Sequence, residues 1–291
     1  MPPWVTAVIP THRGDFWAPD VIRQGQRCLV YYSVSRFGKN RSAIVLASNP
    51  TLDPGDVNYR WTDHGIVIAS SEADDFNAID PAVIATDGGK LWMTFGSFWS
   101  GIKLLQLHPQ TGLRLSGSSP MYSLGRAGAI EAPDIYASGG FYYLFVNWGL
   151  CCPGVESTYN IRVGRSHEMW GPYVDQDGKP LLEGGGTLLL ESDGAFVGPG
   201  HASILETPGG QWLCCRFYDG TDRGRSHLAI LPLTWTDDGW PTVQNRHRGS
   251  HGKIGKTCAG RPLRELDPWS AKRPVRDQQR LSVRTEPQSA S

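Results

Sequence analysis

Ile79-Asp80-Pro81-Ala82-Val83-Ile84 carries the pattern that decides the fold, because it recurs. Trp17-Ala18-Pro19-Asp20-Val21-Ile22 precedes it, and Ile130-Glu131-Ala132-Pro133-Asp134-Ile135 and Gly200-His201-Ala202-Ser203-Ile204-Leu205 follow it. With Ala18, Asp80, Ala132 and His201 taken as equivalent, the spacings are 62, 52 and 69 residues. Each copy opens a run of strand-forming residues, and a second, aromatic run follows a turn: Cys28-Leu29-Val30-Tyr31-Tyr32-Ser33, Leu91-Trp92-Met93-Thr94-Phe95-Gly96, Phe141-Tyr142-Tyr143-Leu144-Phe145-Val146 and Trp212-Leu213-Cys214-Cys215-Arg216-Phe217. β-Branched and aromatic residues after Gly, Asp or Gln read as strands. Units of this length with several short strands predict an all-β fold, the blades of a propeller or a similar radial array.

Composition agrees. The 35 Gly and 21 Pro among 291 residues supply turns, and 40% hydrophobic residues can fill a large core. The formal charge is zero but uneven: residues 243–291 hold 11 Lys+Arg against 4 Asp+Glu, which leaves residues 1–242 with 17 against 24. An acidic body argues against a nucleic-acid groove. The division expected is therefore a propeller over 1–242 and a basic, disordered tail over 243–291, where large apolar residues are too few to offset the entropy of ordering. Met1-Pro2-Pro3-Trp4 does not start a signal peptide, and no 18-residue apolar run predicts a membrane span. Cys151-Cys152 and Cys214-Cys215 are adjacent pairs with Cys28 and Cys258 alone, a spacing unlike that of zinc ligands. Their pairing cannot be read from sequence, and core packing or a structural disulfide is the expected use.

In a radial array, Asp80 and Glu131 converge near the axis although 51 residues separate them. Carboxylates around a pit lined with aromatics point to glycosidic-bond chemistry, in which a carboxylic acid protonates the leaving oxygen and a carboxylate activates water. Read singly, Asp80 is equally a turn residue before proline and Glu131 a solvated strand-end carboxylate. The shared register favours the site.

Five motifs then carry a resemblance: Asp15-Phe16-Trp17-Ala18-Pro19-Asp20, Asn77-Ala78-Ile79-Asp80-Pro81, Gly96-Ser97-Phe98-Trp99-Ser100-Gly101-Ile102, Ala129-Ile130-Glu131-Ala132-Pro133 and Gly198-Pro199-Gly200-His201. From about Trp4 to Pro241 the chain resembles the endo-1,5-α-L-arabinanases of glycoside hydrolase family 43. The resemblance implies a five-bladed β-propeller, secreted and monomeric when complete, that cleaves arabinan or arabino-oligosaccharides with inversion. It implies Glu131 as the general acid and Asp80 as the residue that orients it and raises its pKa. It also implies a metal, calcium, at His201, although a hard cation prefers oxygen ligands and a core histidine is the alternative. No organic cofactor is implied. Asn77, Ala78, Ile79 and Asp80 match subsite-lining segments, as do Ser97, Phe98 and Trp99; Trp17 offers a flat apolar face to a furanose ring. Gly14 could let backbone approach the sugar.

One departure stands out. The family's general base is an aspartate in a blade upstream of the Trp-Ala-Pro-Asp motif, yet Trp17 lies only 16 residues after Met1. The first blade is therefore expected to be largely missing, with Met1 to Pro10 as its last strand, and two sheet edges left open. Asp15 and Asp20 are the nearest acids, but the position equivalent to Asp80 is Ala18. Three readings stay open: a truncated arabinan-degrading enzyme impaired by loss of its base, a catalytically silent arabinan-binding propeller, and a fragment that folds poorly. Within the enzyme class, an exo-acting arabinofuranosidase or β-xylosidase relative competes with the endo enzyme.

Overall fold

The computed structural model describes residues 2, 4–10 and 12–244. Of the expected tail, residues 245–291 lie outside the described residues.

Four four-stranded antiparallel sheets follow one another along the chain, each a meander in sequence order. Blade 1 comprises β1 (Phe16–Gln24), β2 (Arg27–Val34), β3 (Ser42–Asn49) and β4 (Thr62–Ser70). In blade 2 the strands are β5 (Ala82–Ala85), β6 (Leu91–Phe95), β7 (Ile102–Leu107) and β8 (Met121–Gly125). Blade 3 holds β9 (Ile130–Ser138), β10 (Phe141–Trp148), β11 (Asn160–Ser166) and β12 (Thr187–Leu190); blade 4 holds β13 (Phe196–Thr207), β14 (Gly210–Asp219), β15 (Arg225–Trp235) and β16 (Pro241–Val243). The fold is an all-β propeller. Its described residues make four blades, one for each sequence repeat, where the resemblance implies five.

The blades pack face to face because strand residues alternate between the two faces. Leu29, Tyr31, Ile44 and Leu46 of blade 1 meet Val83, Met93, Phe95 and Leu105 of blade 2. Ile84, Trp92 and Leu104 on the other face of blade 2 meet Ile135, Leu144 and Val146 of blade 3. Tyr143, Phe145 and Val163 then meet Leu213, Cys215 and Leu231 of blade 4. The far face of blade 4 stays in solvent, where Leu228 is 69% and Ile230 50% exposed.

The four positions aligned as equivalent share one backbone state. Ala18, Asp80, Ala132 and His201 have φ of 44°, 57°, 52° and 58°, the left-handed region that side chains with a Cβ disfavour. The ladder slips around three of them, between Trp17 and Asp20, between Gly200 and Ser203, and between Phe145 and Asn147 opposite Glu131. Such bulges re-aim side chains at a barrel or propeller axis. The N–H groups freed there are taken by the preceding blade. Asp80 N donates to Ser33 Oγ (3.0 Å), Ala132 N to Asp80 Oδ2 (3.2 Å) and His201 N to Asn147 Oδ1 (2.8 Å). These staples run from blade to blade and fix the bulges against their neighbours.

The N-terminal segment corrects an expectation. It is not a strand: Val5–Val8 form one helical turn, α1. Val5 and Ile9, one turn apart, are fully buried with Val34, Ala43 and Val45 of blade 1, and Trp4 and Val8 pack alongside. The i, i+4 spacing of Val5 and Ile9 puts both on one helix face, which outweighs their β-branched preference for strands. Thus α1 covers the face of blade 1 that points away from blade 2. No helix among the described residues is long and apolar enough to cross a membrane.

Candidate active site

A cleft of about 540 Å³ opens where blades 1, 2 and 3 meet. Trp17, Asn77, Ile79, Ser97, Phe98, Trp99 and Glu131 line it, together with the Arg36–Lys39 loop, Leu150 and Cys151. Most of that lining is apolar, and Glu131 is its one carboxylate among the described residues. Of the other residues singled out from sequence, Asp80 is buried and joined to blade 3 through Ala132 N, and Ala78 is fully buried with its N–H on Ser70 Oγ at 2.9 Å. Gly14 (φ +96°) sits in an exposed turn with its N–H on His12 Nδ1, away from the cleft lining. His201 lies outside that lining as well, with its ring turned into the protein and only part of the residue accessible.

The loop between β6 and β7 builds one wall. Gly96, at φ +125°, has no room for a side chain, since a Cβ would meet Gly101 O at 2.5 Å. Phe98 and Trp99 follow with positive φ, and Phe98 N donates to Ile130 O at 2.7 Å, which fastens the loop beside Glu131. This conformation turns the Trp99 ring outward, 42% exposed.

Glu131 is almost buried and has a donor on each oxygen. Ser97 Oγ donates to Oε2 at 2.7 Å, and the Tyr159 hydroxyl makes a short hydrogen bond to Oε1. Burial, followed by the charges of Glu131 and Asp80, holds the Tyr159 pKa well above its usual value, so it remains a donor. Asp80 is likewise pushed well above the carboxylate range by burial and then by the charge of Glu131, against the pull of the Ala132 N–H and Arg216. A buried carboxyl beside a second carboxylate retains its proton in this way. The Arg216 guanidinium stacks over Tyr218 at 4.8 Å and Tyr159 at 5.5 Å.

Asp20 is committed elsewhere: its Oδ2 accepts the N–H of Val83 at 2.6 Å, tying blade 1 to blade 2. Neither Asp20 nor Asp15 lines the cleft.

The donors around His201 do not fit a protein-caged calcium ion. Burial, then Arg216, lowers the His201 pKa to about 4, which leaves a neutral imidazole beside a cation. Among the described residues no three His, Cys, Asp or Glu side chains gather as a metal cluster. A hard cation there would have to take most of its six or more oxygen ligands from water.

Sequence reasoning missed Tyr159, Cys151, Leu150 and the Arg36–Lys39 loop. All sit in connections between second and third strands, outside the repeated motif, where no periodic signal marks them. Asn147, which caps the His201 bulge, lies one residue past the aromatic run over residues 141–146 and carried no signal of its own.

A propeller with an apolar, tryptophan-walled cleft, one carboxyl at its surface and a proton-retaining carboxyl behind it belongs to the class of carbohydrate-active folds. The chain belongs to the glycosyl hydrolases family 43, whose pattern matches residues 4–241. It is 43% identical over 263 residues to an extracellular exo-α-(1→5)-L-arabinofuranosidase of Cellvibrio japonicus, across 86% of this chain and 76% of that one. It is 42% identical over 243 residues to an extracellular endo-α-(1→5)-L-arabinanase of Bacillus subtilis, across 82% and 72%. Among solved structures, the α-L-arabinanase of Cellvibrio cellulosa superposes with a TM-score of 0.81 at 42% identity, covering 84% of this chain and 82% of that one. A structure of that enzyme complexed with arabinohexaose superposes at 0.80.

Proposed function

We propose that this family 43 enzyme acts on arabinan, binding α-1,5-linked arabinofuranose units along the cleft and using Glu131 as the general acid. The observation that carries the reading is the setting of Glu131: the one carboxylate lining the cleft, with Ser97 and Tyr159 on its two oxygens and Asp80 behind it. Trp17 and Trp99 supply flat faces for the C–H surfaces of neutral furanose rings, and Asn77 a hydrogen-bonding edge. In this role Glu131 is protonated when substrate binds and passes that proton to the leaving oxygen as the glycosidic bond breaks, and the Ser97 and Tyr159 hydroxyls then hold the carboxylate it becomes. Asp80 keeps the neighbouring charge low and positions blade 3 through the Ala132 N–H. The relatives' names, which place both enzymes outside the cell, support an extracellular setting.

Inversion needs a second carboxylate on the opposite face of the sugar to activate water. Ala18 occupies the position in blade 1 that matches Asp80, and Asp20 is held by Val83. We therefore expect hydrolysis by these residues to run roughly 10² to 10⁴ slower than with a complete acid–base pair, while saccharide binding is retained. Endo attack is the reading the Asn77–Asp80 and Ser97–Trp99 walls favour; the exo reading draws on the Cellvibrio japonicus relative's name.

Separating the products from linear 1,5-α-arabinan decides between these. A ladder of oligosaccharides supports endo action, arabinose alone supports exo action, and bound but intact polymer supports a saccharide-binding propeller. Absence of binding overturns the proposal.

A further inference from the structure

Cys151 and Cys152 are joined to each other, and Cys151 lines the cleft beside Leu150. The remaining described cysteines do not take part: Cys28 and Cys215 are buried and Cys214 half-buried, all three as free thiols. A bond between adjacent residues closes no loop of consequence, so it removes almost no entropy from the unfolded chain. It also coexists with a left-handed backbone at Cys152, φ 81°, which a residue with a Cβ adopts at some cost. Global stability does not account for it, and its place does.

The pair sits in the connection between β10 and β11, and that connection is fastened throughout. Gly149, φ +88°, lies so close to Thr158 that a Cβ would meet its carbonyl oxygen at 2.3 Å. Leu150 N donates to Thr158 Oγ1 at 2.9 Å, Ser157 Oγ donates to Leu150 O at 2.8 Å, and Cys152 N donates to the Tyr218 hydroxyl of blade 4 at 3.0 Å. The connection ends at Tyr159, the donor to Glu131. One short segment therefore carries both an apolar rim of the cleft and a hydrogen bond to its carboxylate.

We propose that the Cys151–Cys152 disulfide is a specificity-determining wall of the cleft: a rigid, polarizable surface against which a neutral furanose ring packs, preset by the bond and lost when the bond opens. The proposal rests on the reading of the cleft as an arabino-oligosaccharide site. A polarizable sulfur pair presents apolar area without a side chain that must be ordered on binding. Opening the bond needs two electrons and two protons. A small dithiol supplies them: one thiolate attacks a cysteine sulfur to give a mixed disulfide, and its second thiol closes the reagent's own ring disulfide, leaving Cys151 and Cys152 as thiols. Cys152 is then free to leave the left-handed region, and the wall moves with it. Such a bond persists only in an oxidising compartment, in line with the extracellular relatives.

The test has two parts on the full chain. Alkylation without reductant, followed by peptide mapping, is expected to find Cys151 and Cys152 unmodified and two mass units lighter than the dithiol; double alkylation there overturns the proposal. Calorimetric titration with arabinohexaose is expected to give roughly tenfold weaker binding after dithiothreitol, at an unchanged thermal midpoint. The Cys151→Ser, Cys152→Ser double variant should match the reduced parent and not respond to reductant. Equal affinity in oxidised and reduced parent overturns the wall alone, as does a loss of binding that merely follows a loss of fold. Absence of binding by the oxidised parent overturns the saccharide reading, and the wall with it.

Discussion

Tyr159 holds Glu131 from within the same blade, through a hydroxyl that burial keeps protonated. Tyr159→Phe leaves Oε1 without that donor, and hydrogen bonds to charged groups contribute roughly 1.5–3 kcal/mol. We expect about a tenfold or greater fall in kcat with a small change in KM, read from steady-state kinetics on arabino-oligosaccharides. Asp80 gives a pH test. Its folded pKa is raised, so the folded state holds the proton more tightly than the unfolded chain does. Its contribution to stability is complete below the unfolded value of about 4 and is lost as pH rises through the folded value. Asp80→Asn keeps an acceptor for Ala132 N and removes the titration. The variant's thermal midpoint should gain on the parent's as pH rises from about 5 to about 9. A constant difference across that range contradicts the protonated Asp80.

At the scale of elements, the bulged first strands show what the sequence could carry. Asp80 and His201 stand where Ala18 and Ala132 stand, and the repeat was legible because Pro or Ala and β-branched residues recur after that point. The left-handed backbone was not, since three side-chain types occupy it and none is glycine. Ala18→Gly keeps the bulge and removes the Cβ. The relief of roughly 1–2 kcal/mol exceeds the entropy cost of glycine, roughly 0.5–1 kcal/mol. A rise of a few degrees in the thermal midpoint is expected, and a fall contradicts the strain. Helix α1 was misread for a related reason: Trp4 to Ile9 is β-branched enough to look extended, and only Val5 and Ile9 burying one face together reveal the turn. The cleft walls at Leu150, Cys151 and Tyr159 were invisible because connections are placed by tertiary contacts, here with Thr158, Tyr218 and Glu131, rather than by local pattern.

Across the whole molecule, three blade interfaces supply most of the core, and α1 closes the outer face of blade 1. Ile9 is fully buried in that small cluster. Ile9→Ala should therefore cost about 2–5 kcal/mol, seen as a lower urea midpoint with an unchanged slope, unless α1 is dispensable, in which case the midpoint stays. No residue of α1 lines the cleft, and the inter-blade staples fix the strand entrances around it, so saccharide binding by folded Ile9→Ala protein should persist. The proposed chemistry turns on Glu131. The most direct measurement is the release of reducing ends from linear 1,5-α-arabinan by the parent chain and by Glu131→Gln, each first shown to bind arabinohexaose. Slow release by the parent and none by the variant, at similar affinity, is the expected result. Release at the same rate from both contradicts Glu131 as the proton donor.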